Sequence, residues 1–295
     1  MIEAKRLTKL FGTTAALDSI DFTIEDGSVF GLIGSNGSGK STLLRILAGV
    51  YSPDGGYVAI EHQKVFDNPE LKGKIFFLSD TPFFFAGANL KEMAAFYKSF
   101  YPAFSDQRLT EMIQVFNINP LNKISNMSKG MQRQVAVALA FSCRPKYLFL
   151  DEAFDGLDPV MRELLKRLIS EDITEFKSTV IIASHNLREL EDMCDCVGLL
   201  HKGKIIFNGE LDNIKSQVHK IQAVFSSVPE TAAFKGLDVL KMERSGSMLQ
   251  LVIRGELSEI DAFINKLSPI FYETLQPSLE ELFIFELGGL GYDVK

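Results

Sequence analysis

Short apolar runs and longer amphipathic stretches alternate along the first two thirds of the chain, and this alternation predicts strands exchanging with helices. Residues 2–7 and 17–24 predict two strands, with Phe11-Gly12 in the connection between them. Ser28-Val29-Phe30-Gly31-Leu32-Ile33 is a short apolar run of the kind a buried strand shows. Leu43-Leu44-Arg45-Ile46-Leu47-Ala48 predicts a helix that Gly49 closes. After the turn Ser52-Pro53-Asp54-Gly55-Gly56, strands are expected at Tyr57–Ile60 and Lys74–Leu78. Helical periodicity covers 89–100 and 106–117, with Tyr101-Pro102 as the break. Val135–Ala140 is an apolar helix, and Lys146–Glu152 and Ser178–Ser184 are apolar strands.

The pattern changes near residue 217. Strands are expected at 220–227, 237–243, 248–254 and 270–275, with Ser245-Gly246 as a turn and 257–267 as a helix. The order strand, short helix, strand, strand, helix, strand predicts a small split-βαβ unit. A last helix opens at Ser278, with Glu281 placed to complete a capping box.

Chemistry enters at Gly34-Ser35-Asn36-Gly37-Ser38-Gly39-Lys40-Ser41-Thr42, which fits G-x-x-x-x-G-K-[ST] between an expected strand and an expected helix. Glycine and serine let the backbone curl until successive N–H groups face one anion, and the helix adds the positive end of its dipole. Such a loop binds a nucleoside triphosphate, with Lys40 reaching the β- and γ-phosphates and the Ser41 hydroxyl ligating Mg²⁺.

Asp151 and Glu152 end an apolar strand, and His185 lies just beyond another. In a parallel sheet covered on both faces, ligands sit at the carboxyl ends of strands. Strand alternation would point the two carboxylates in different directions, one to hold Mg²⁺ and one to orient water. His185 is the one site-like histidine of four, the others reading as surface residues. Phe11 suits either a ring stacked on a purine or hairpin packing. Ser128 is placed as a helix N-cap. Ser79–Gly87, with Phe83-Phe84-Phe85, is too apolar for a solvent-facing connector.

Composition narrows the reading further. A chain of 295 residues with 46% hydrophobic content can bury a full core, as one large domain or two. A net charge of -7 lacks the basic footprint of a general nucleic-acid binder, so no nucleic-acid partner is expected. Cys143, Cys194 and Cys196 make no disulfide framework, and Cys194-x-Cys196 lacks zinc-knuckle spacing. The charged start Met1–Arg6 predicts no signal peptide, and no window of 18 uninterrupted apolar residues is present.

Taken together, these residues resemble the ATP-binding subunit of an ABC transporter over residues 1 to about 215. The resemblance implies an α/β fold: a P-loop ATPase core over 1–216 with a mixed sheet and a helical subdomain (about 87–143). A small C-terminal α+β accessory domain over 217–295 would complete it. Phe11 corresponds to the adenine-stacking aromatic, Gly34–Thr42 to the Walker A loop, and Asp151 and Glu152 to the Walker B aspartate and catalytic glutamate. His185 corresponds to the switch histidine and Gly156-Leu157-Asp158 to the D-loop, which brings Asp158 to the nucleotide. Met127-Ser128-Lys129-Gly130-Met131 corresponds to the signature Leu-Ser-Gly-Gly-Gln, keeping Ser128 and Gly130 but not the second glycine or the glutamine. The Mg²⁺-ligating glutamine of the Q-loop aligns with Asp80, shorter and charged.

The family further implies ATP and Mg²⁺ as cofactors and a head-to-tail pair of ATPase subunits, alike or different. A separate transmembrane permease would hold the chain at the cytoplasmic face of the membrane. The signature form and the ending Pro277–Phe283 resemble bacterial exporter ATPases, which move drugs, antimicrobial peptides or lipid-like compounds. Phe83–Phe85 would then line a groove for a permease helix, or simply pack on the helix at 89–100. A regulatory ABC-type ATPase, or one acting on ribosomes or DNA, is the competing reading.

Overall fold

The computed structural model describes residues 1–289. Two compact units make it up, Met1–Asn186 with Met193–Asn208, and Leu187–Asp192 with the chain from Gly209 onward.

The first unit opens with a hairpin of β1 (Ile2–Phe11) and β2 (Thr14–Ile24). Both strands run further than the apolar pattern predicts. Register shifts fall between Ala4 and Leu7 and again before Lys9, and Arg6 and Ser19 take positive φ of 46° and 52°. A bulge of this kind moves side chains to the other face without ending the pairing, so the alternation fails while the strand continues. Then follow β3 (Val29–Ile33), α1 (Lys40–Leu47), β4 (Gly55–Ile60), β5 (Gln63–Lys64), α2 (Pro69–Lys72) and β6 (Ile75–Leu78). The helical stretch comprises α3 (Leu90–Lys98), α4 (Asp106–Val115) and α5 (Lys129–Ser142). The core returns with β7 (Tyr147–Asp151), α6 (Pro159–Phe176) and β8 (Thr179–Ser184).

After α7 (Leu187–Glu191), which belongs to the second unit, come β9 (Cys196–His201) and β10 (Lys204–Glu210). One sheet runs β2-β1-β4-β5 and is antiparallel. The other runs β10-β9-β3-β8-β7-β6, and its five strands from β9 to β6 are mutually parallel. Every residue of β3, β7 and β8 is buried, which is why their sequences are unbroken apolar runs rather than alternating ones. Leu43, Leu44, Ile46 and Leu47 of α1 enter the same core as Tyr147, Phe149 and Ile181, so packing locks α1 onto the sheet.

The second unit continues with α8 (Leu211–Ser216), β11 (Val218–Val224), β12 (Asp238–Ser245), β13 (Met248–Arg254), α9 (Leu257–Lys266), β14 (Phe271–Leu275) and α10 (Leu279–Gly289). The sheet order β12-β13-β11-β14, antiparallel throughout, is the split-βαβ arrangement. The short helix expected between the first two strands is only a 3-10 turn, Thr231–Phe234. Ile260 and Ile264 of α9 pack with Leu249, Leu251 and Ile253, while Leu282 of α10 packs with Val252 on the opposite face. Ser278 and Glu281 form the capping box in both directions, at 2.9 and 3.2 Å. Two histidines correct the sequence reading: His201 and His219 are buried, and the His219 Nε2 lies 3.1 Å from the Gly255 carbonyl.

Candidate functional site: a phosphate cradle beside a carboxylate cluster

Four neighbouring strands, β3, β8, β7 and β6, deliver the sequence-predicted chemistry at their carboxyl ends. The loop Gly34–Gly39 follows β3, His185 follows β8, Asp151 ends β7 with Glu152 next after it, and Asp80 lies two residues past β6.

The loop after β3 tolerates no side chain at Gly34, where a Cβ would sit 2.4 Å from both the Leu200 carbonyl oxygen and Ser38 Oγ. Gly39 combines φ +113° with a Cβ position 2.5 Å from the Ala16 carbonyl oxygen. Ser38 N–H donates to the Ser35 carbonyl at 3.1 Å, and the Ser38 carbonyl accepts from Gly203 N–H at 3.0 Å, which closes the curl. Ser35 and Asn36 are exposed at its tip.

The start of α1 differs from the other helix starts around it. Those of α3, α4, α5 and α6 are capped by Asn89, Ser105, Ser128 and Asp158. At α1 no side chain caps the helix and no acidic residue stands in the first turn, which carries Lys40, Ser41 and Thr42. First-turn amides have no partner within their own helix, so an outside acceptor can take them. Ser38 Oγ is also buried there without a partner. Lys40, nearly buried, folds back over the loop and donates to the Gly34 carbonyl at 2.7 Å.

Asp151 is wholly buried, and its Oδ1 accepts the Ser41 hydroxyl at 3.1 Å. Its Oδ2 is buried with no hydrogen-bond partner. Burial first, then the charges of Asp80 and Glu152, push its pKa upward against the Ser41 bond and Arg45. Hard oxygen donors with an unmet negative charge fit a small divalent cation such as Mg²⁺, and the open amides of α1 fit a triphosphate.

Glu152 is not a continuation of the strand, as the alternation predicts. It sits in the left-handed region with φ +48°, its N–H donating to the Ala183 carbonyl at 2.9 Å. That turn sends its carboxylate between two elements. Oε1 lies 3.5 Å from Lys40 Nζ, while Oε2 lies 2.9 Å from His185 Nδ1 and accepts His185 N–H at 3.3 Å. Asp155, which the sequence reading does not single out, joins Glu152 and His185 with ligand atoms all within 4.8 Å of one another.

The remaining candidates are placed less centrally. Asp80 is exposed and its Oδ1 accepts Thr81 N–H at 2.8 Å, yet its charge is felt at Asp151. Phe11 is about half exposed at the end of β1, edge-on to Tyr51 with ring centroids 5.7 Å apart. Ser128 and Asp158 cap their own helices, and Gly130 has the Gly156 carbonyl oxygen 3.7 Å from the place of a Cβ. Among the described residues, no hydrogen bond shown joins these three to the phosphate cradle. Phe83 is 71% exposed and stacks edge-on to Phe85, which stacks in turn on Phe96 of α3. The expected packing on the helix at 89–100 is therefore present through Phe85, while Phe83 stays exposed. Arg133 of α5 is the residue that the sequence reading missed: buried, it donates to carbonyls on both the β6 and β7 loops.

Residues 17–155 match the family model described as ABC transporter. The chain is 29% identical over 289 residues to the ABC transporter ATP-binding protein YtrB of Bacillus subtilis, covering 98% of this chain and 99% of YtrB. It is also 29% identical to the bacitracin transport ATP-binding protein BcrA of Bacillus licheniformis, over 75% of this chain and 73% of BcrA. Among solved structures, the ATP-binding subunit of an ABC transporter superimposes with a TM-score of 0.68 at 28% identity, covering 74% of this chain and 92% of that one.

Proposed function

This chain belongs to the ATP-binding subunits of ABC transporters and is an ATPase, and from that premise we propose that it drives export through a separate membrane permease. The observation that supports the hydrolytic assignment is the Glu152 carboxylate held between Lys40 and His185, beside the unpartnered Oδ2 of Asp151.

The chain's own residues suggest the sequence of events. The β- and γ-phosphates of ATP take the α1 amides and Lys40 Nζ, which gives up the Gly34 carbonyl and its 3.5 Å approach to Glu152. Oε1 of Glu152 is then free to accept a proton from water, while His185, bonded to Oε2, fixes the carboxylate's direction. Ser41 and Asp151 would hold Mg²⁺, which would neutralise phosphate charge when bound, and Asp80 would offer a further oxygen. Phe11 stacks on the adenine. The exposed start of α5, with Gly130 in its first turn, suits a nucleotide held by a second ATPase subunit, whose Asp158 region packs alongside. The charge stabilisation that hydrolysis needs is completed only when both faces meet.

A transport role is supported by the likeness to the bacitracin transport protein. The export direction and the cargo class, a drug, antimicrobial peptide or lipid-like compound, are our inference. No helix of the described residues is long and apolar enough to cross a membrane, and we assign the pore to a separate permease. The exposed Phe83–Phe85 edge is our assignment for the permease contact; a cross-linker placed at Phe83 should capture the permease in the native complex, and capture of nothing removes the assignment. The small second unit serves as an accessory domain.

Glu152→Gln tests the reading. Turnover should fall about 10²-fold or more, within the range for general-base catalysis, while ATP still binds and draws the protein into a dimer on size-exclusion chromatography. Near-normal turnover in that variant would remove Glu152 from the reaction. Co-purification with a multi-span membrane protein separates transport from the regulatory or ribosome-associated alternatives.

A further inference from the structure

We infer that Arg133 is a positioning residue for hydrolysis, clamping from α5 the two loops that carry Asp80 and Glu152. Arg133 is 5% exposed, and among the described residues its guanidinium donates only to main-chain oxygens. Nη1 reaches the carbonyls of Ser79 at 2.7 Å and Asp80 at 2.9 Å. Nη2 reaches those of Asp151 at 3.3 Å and Glu152, and Nε that of Ala153 at 3.4 Å. Five carbonyls from two loops thus converge on one planar cation, whose fixed fork suits several acceptors at once.

The clamp bears on the one strained residue of the site. Glu152 stands at φ +48°, a conformation a glutamate adopts only where its surroundings hold it there. Its N–H is held by Ala183 and its carbonyl by Arg133, so the two bonds on either side of the Cα set where the side chain points. Burial pulls Arg133 toward its neutral form, and the charges of Asp155, Asp80, Asp151 and Glu152 resist that pull. Among the described residues none of the Arg133 hydrogen bonds reaches residues 34–42, so its effect is assigned to the carboxylate loops and not to the phosphate loop. Because it grows from the helix that Ser128 caps, a second subunit's nucleotide seated at that start bears on the same clamp.

This inference rests on the ATPase reading above. Arg133→Met removes every donor while keeping length, and Arg133→Lys keeps the charge with a smaller, unforked donor. For the full chain, steady-state hydrolysis should show kcat down about 100-fold in Arg133→Met and about 10-fold in Arg133→Lys, since misplacement on the scale of 1 Å costs about that much. KM for ATP should stay within about three-fold in both. Unchanged kcat in folded protein overturns the inference, and so does a KM that rises in step with the fall in kcat. Should Arg133→Met fail to fold, Arg133→Lys alone decides on the same criteria. The wild-type chain and Glu152→Gln run alongside keep the two ideas apart. A wild-type chain without ATP hydrolysis defeats the ATPase assignment, normal turnover in Glu152→Gln removes Glu152 from the reaction, and an inert Arg133 defeats only the clamp.

Discussion

Asp151 and Asp172 are both buried aspartates whose charged forms burial disfavours, yet the fold treats them in opposite ways. Asp172 of α6 is given a cation from within: Arg108 Nη2 of α4 lies 3.3 Å from its Oδ1 and 3.3 Å from Glu171. Asp151 is given a hydroxyl at one oxygen and no hydrogen bond at the other, and burial and then the two carboxylates nearby raise its pKa against the Ser41 bond and the weaker pull of Arg45. A buried charge left short of its counter-charge weakens the fold unless something outside supplies it. The α4–α6 junction therefore meets its buried carboxylate from within the fold, although Arg108 Nε is left without a hydrogen-bond partner, while the end of β7 fits the proposed cation.

The sharpest way to break that contrast is Asp151→Asn. Removing the charge should lower Mg²⁺-dependent hydrolysis by about 10²-fold or more, the several kcal/mol that a metal's charge stabilisation supplies. Thermal unfolding without nucleotide should be unchanged or improved by about 1 kcal/mol, because an uncompensated buried charge is gone. A variant that melts several degrees lower would place Asp151 with Asp172 as a structural group.

Arg108→Ala should do the reverse. Breaking a buried pair from one side typically costs about 3–5 kcal/mol, readable as a lower urea midpoint. Hydrolysis per folded molecule should stay within about two-fold, since among the described residues the Arg108 side chain bonds only to Glu111, Glu171 and Asp172. Loss of turnover without loss of stability would mean that the junction belongs to the site after all.

How much of this the chain discloses in advance depends on range. The phosphate cradle is local: its glycines, Lys40 and Ser41 lie within nine consecutive residues, so sequence alone places them. Asp151, Glu152 and His185 are legible because buried parallel strands are apolar runs and their ends stand out. The left-handed turn at Glu152 is not legible, for nothing in Leu150-Asp151-Glu152 signals a positive φ. Arg133 is invisible for a different reason. Its partners are main-chain oxygens 18 to 54 residues away, and a carbonyl carries no sequence signature. The buried His201 and His219 were misread because polarity alone suggests the surface, whereas strand packing placed them.

The smallest effect is the pH dependence of the Asp172 junction. Burial holds the Asp172 carboxyl protonated up to a pKa of about 6, against the usual 3.8, with the Arg108 attraction too weak to reverse it. Its carboxylates hold Arg108 charged, so the two partners pull the shared proton balance in opposite senses; with the Asp172 side chain 3% exposed, desolvation decides. Between about pH 4 and pH 6 the native state then binds more protons at this position than the unfolded chain does. Stability from this group is present below pH 4, falls as pH rises through 6, and is level above it. Two pKa units correspond to about 3 kcal/mol, an upper figure for a pair this closely coupled. Asp172→Asn should remove that slope, so the wild-type and variant urea midpoints should diverge between pH 4.5 and 7. If they stay parallel across that range, Asp172 is ionised throughout, its charge already met by Arg108, and the contrast with Asp151 becomes wider still.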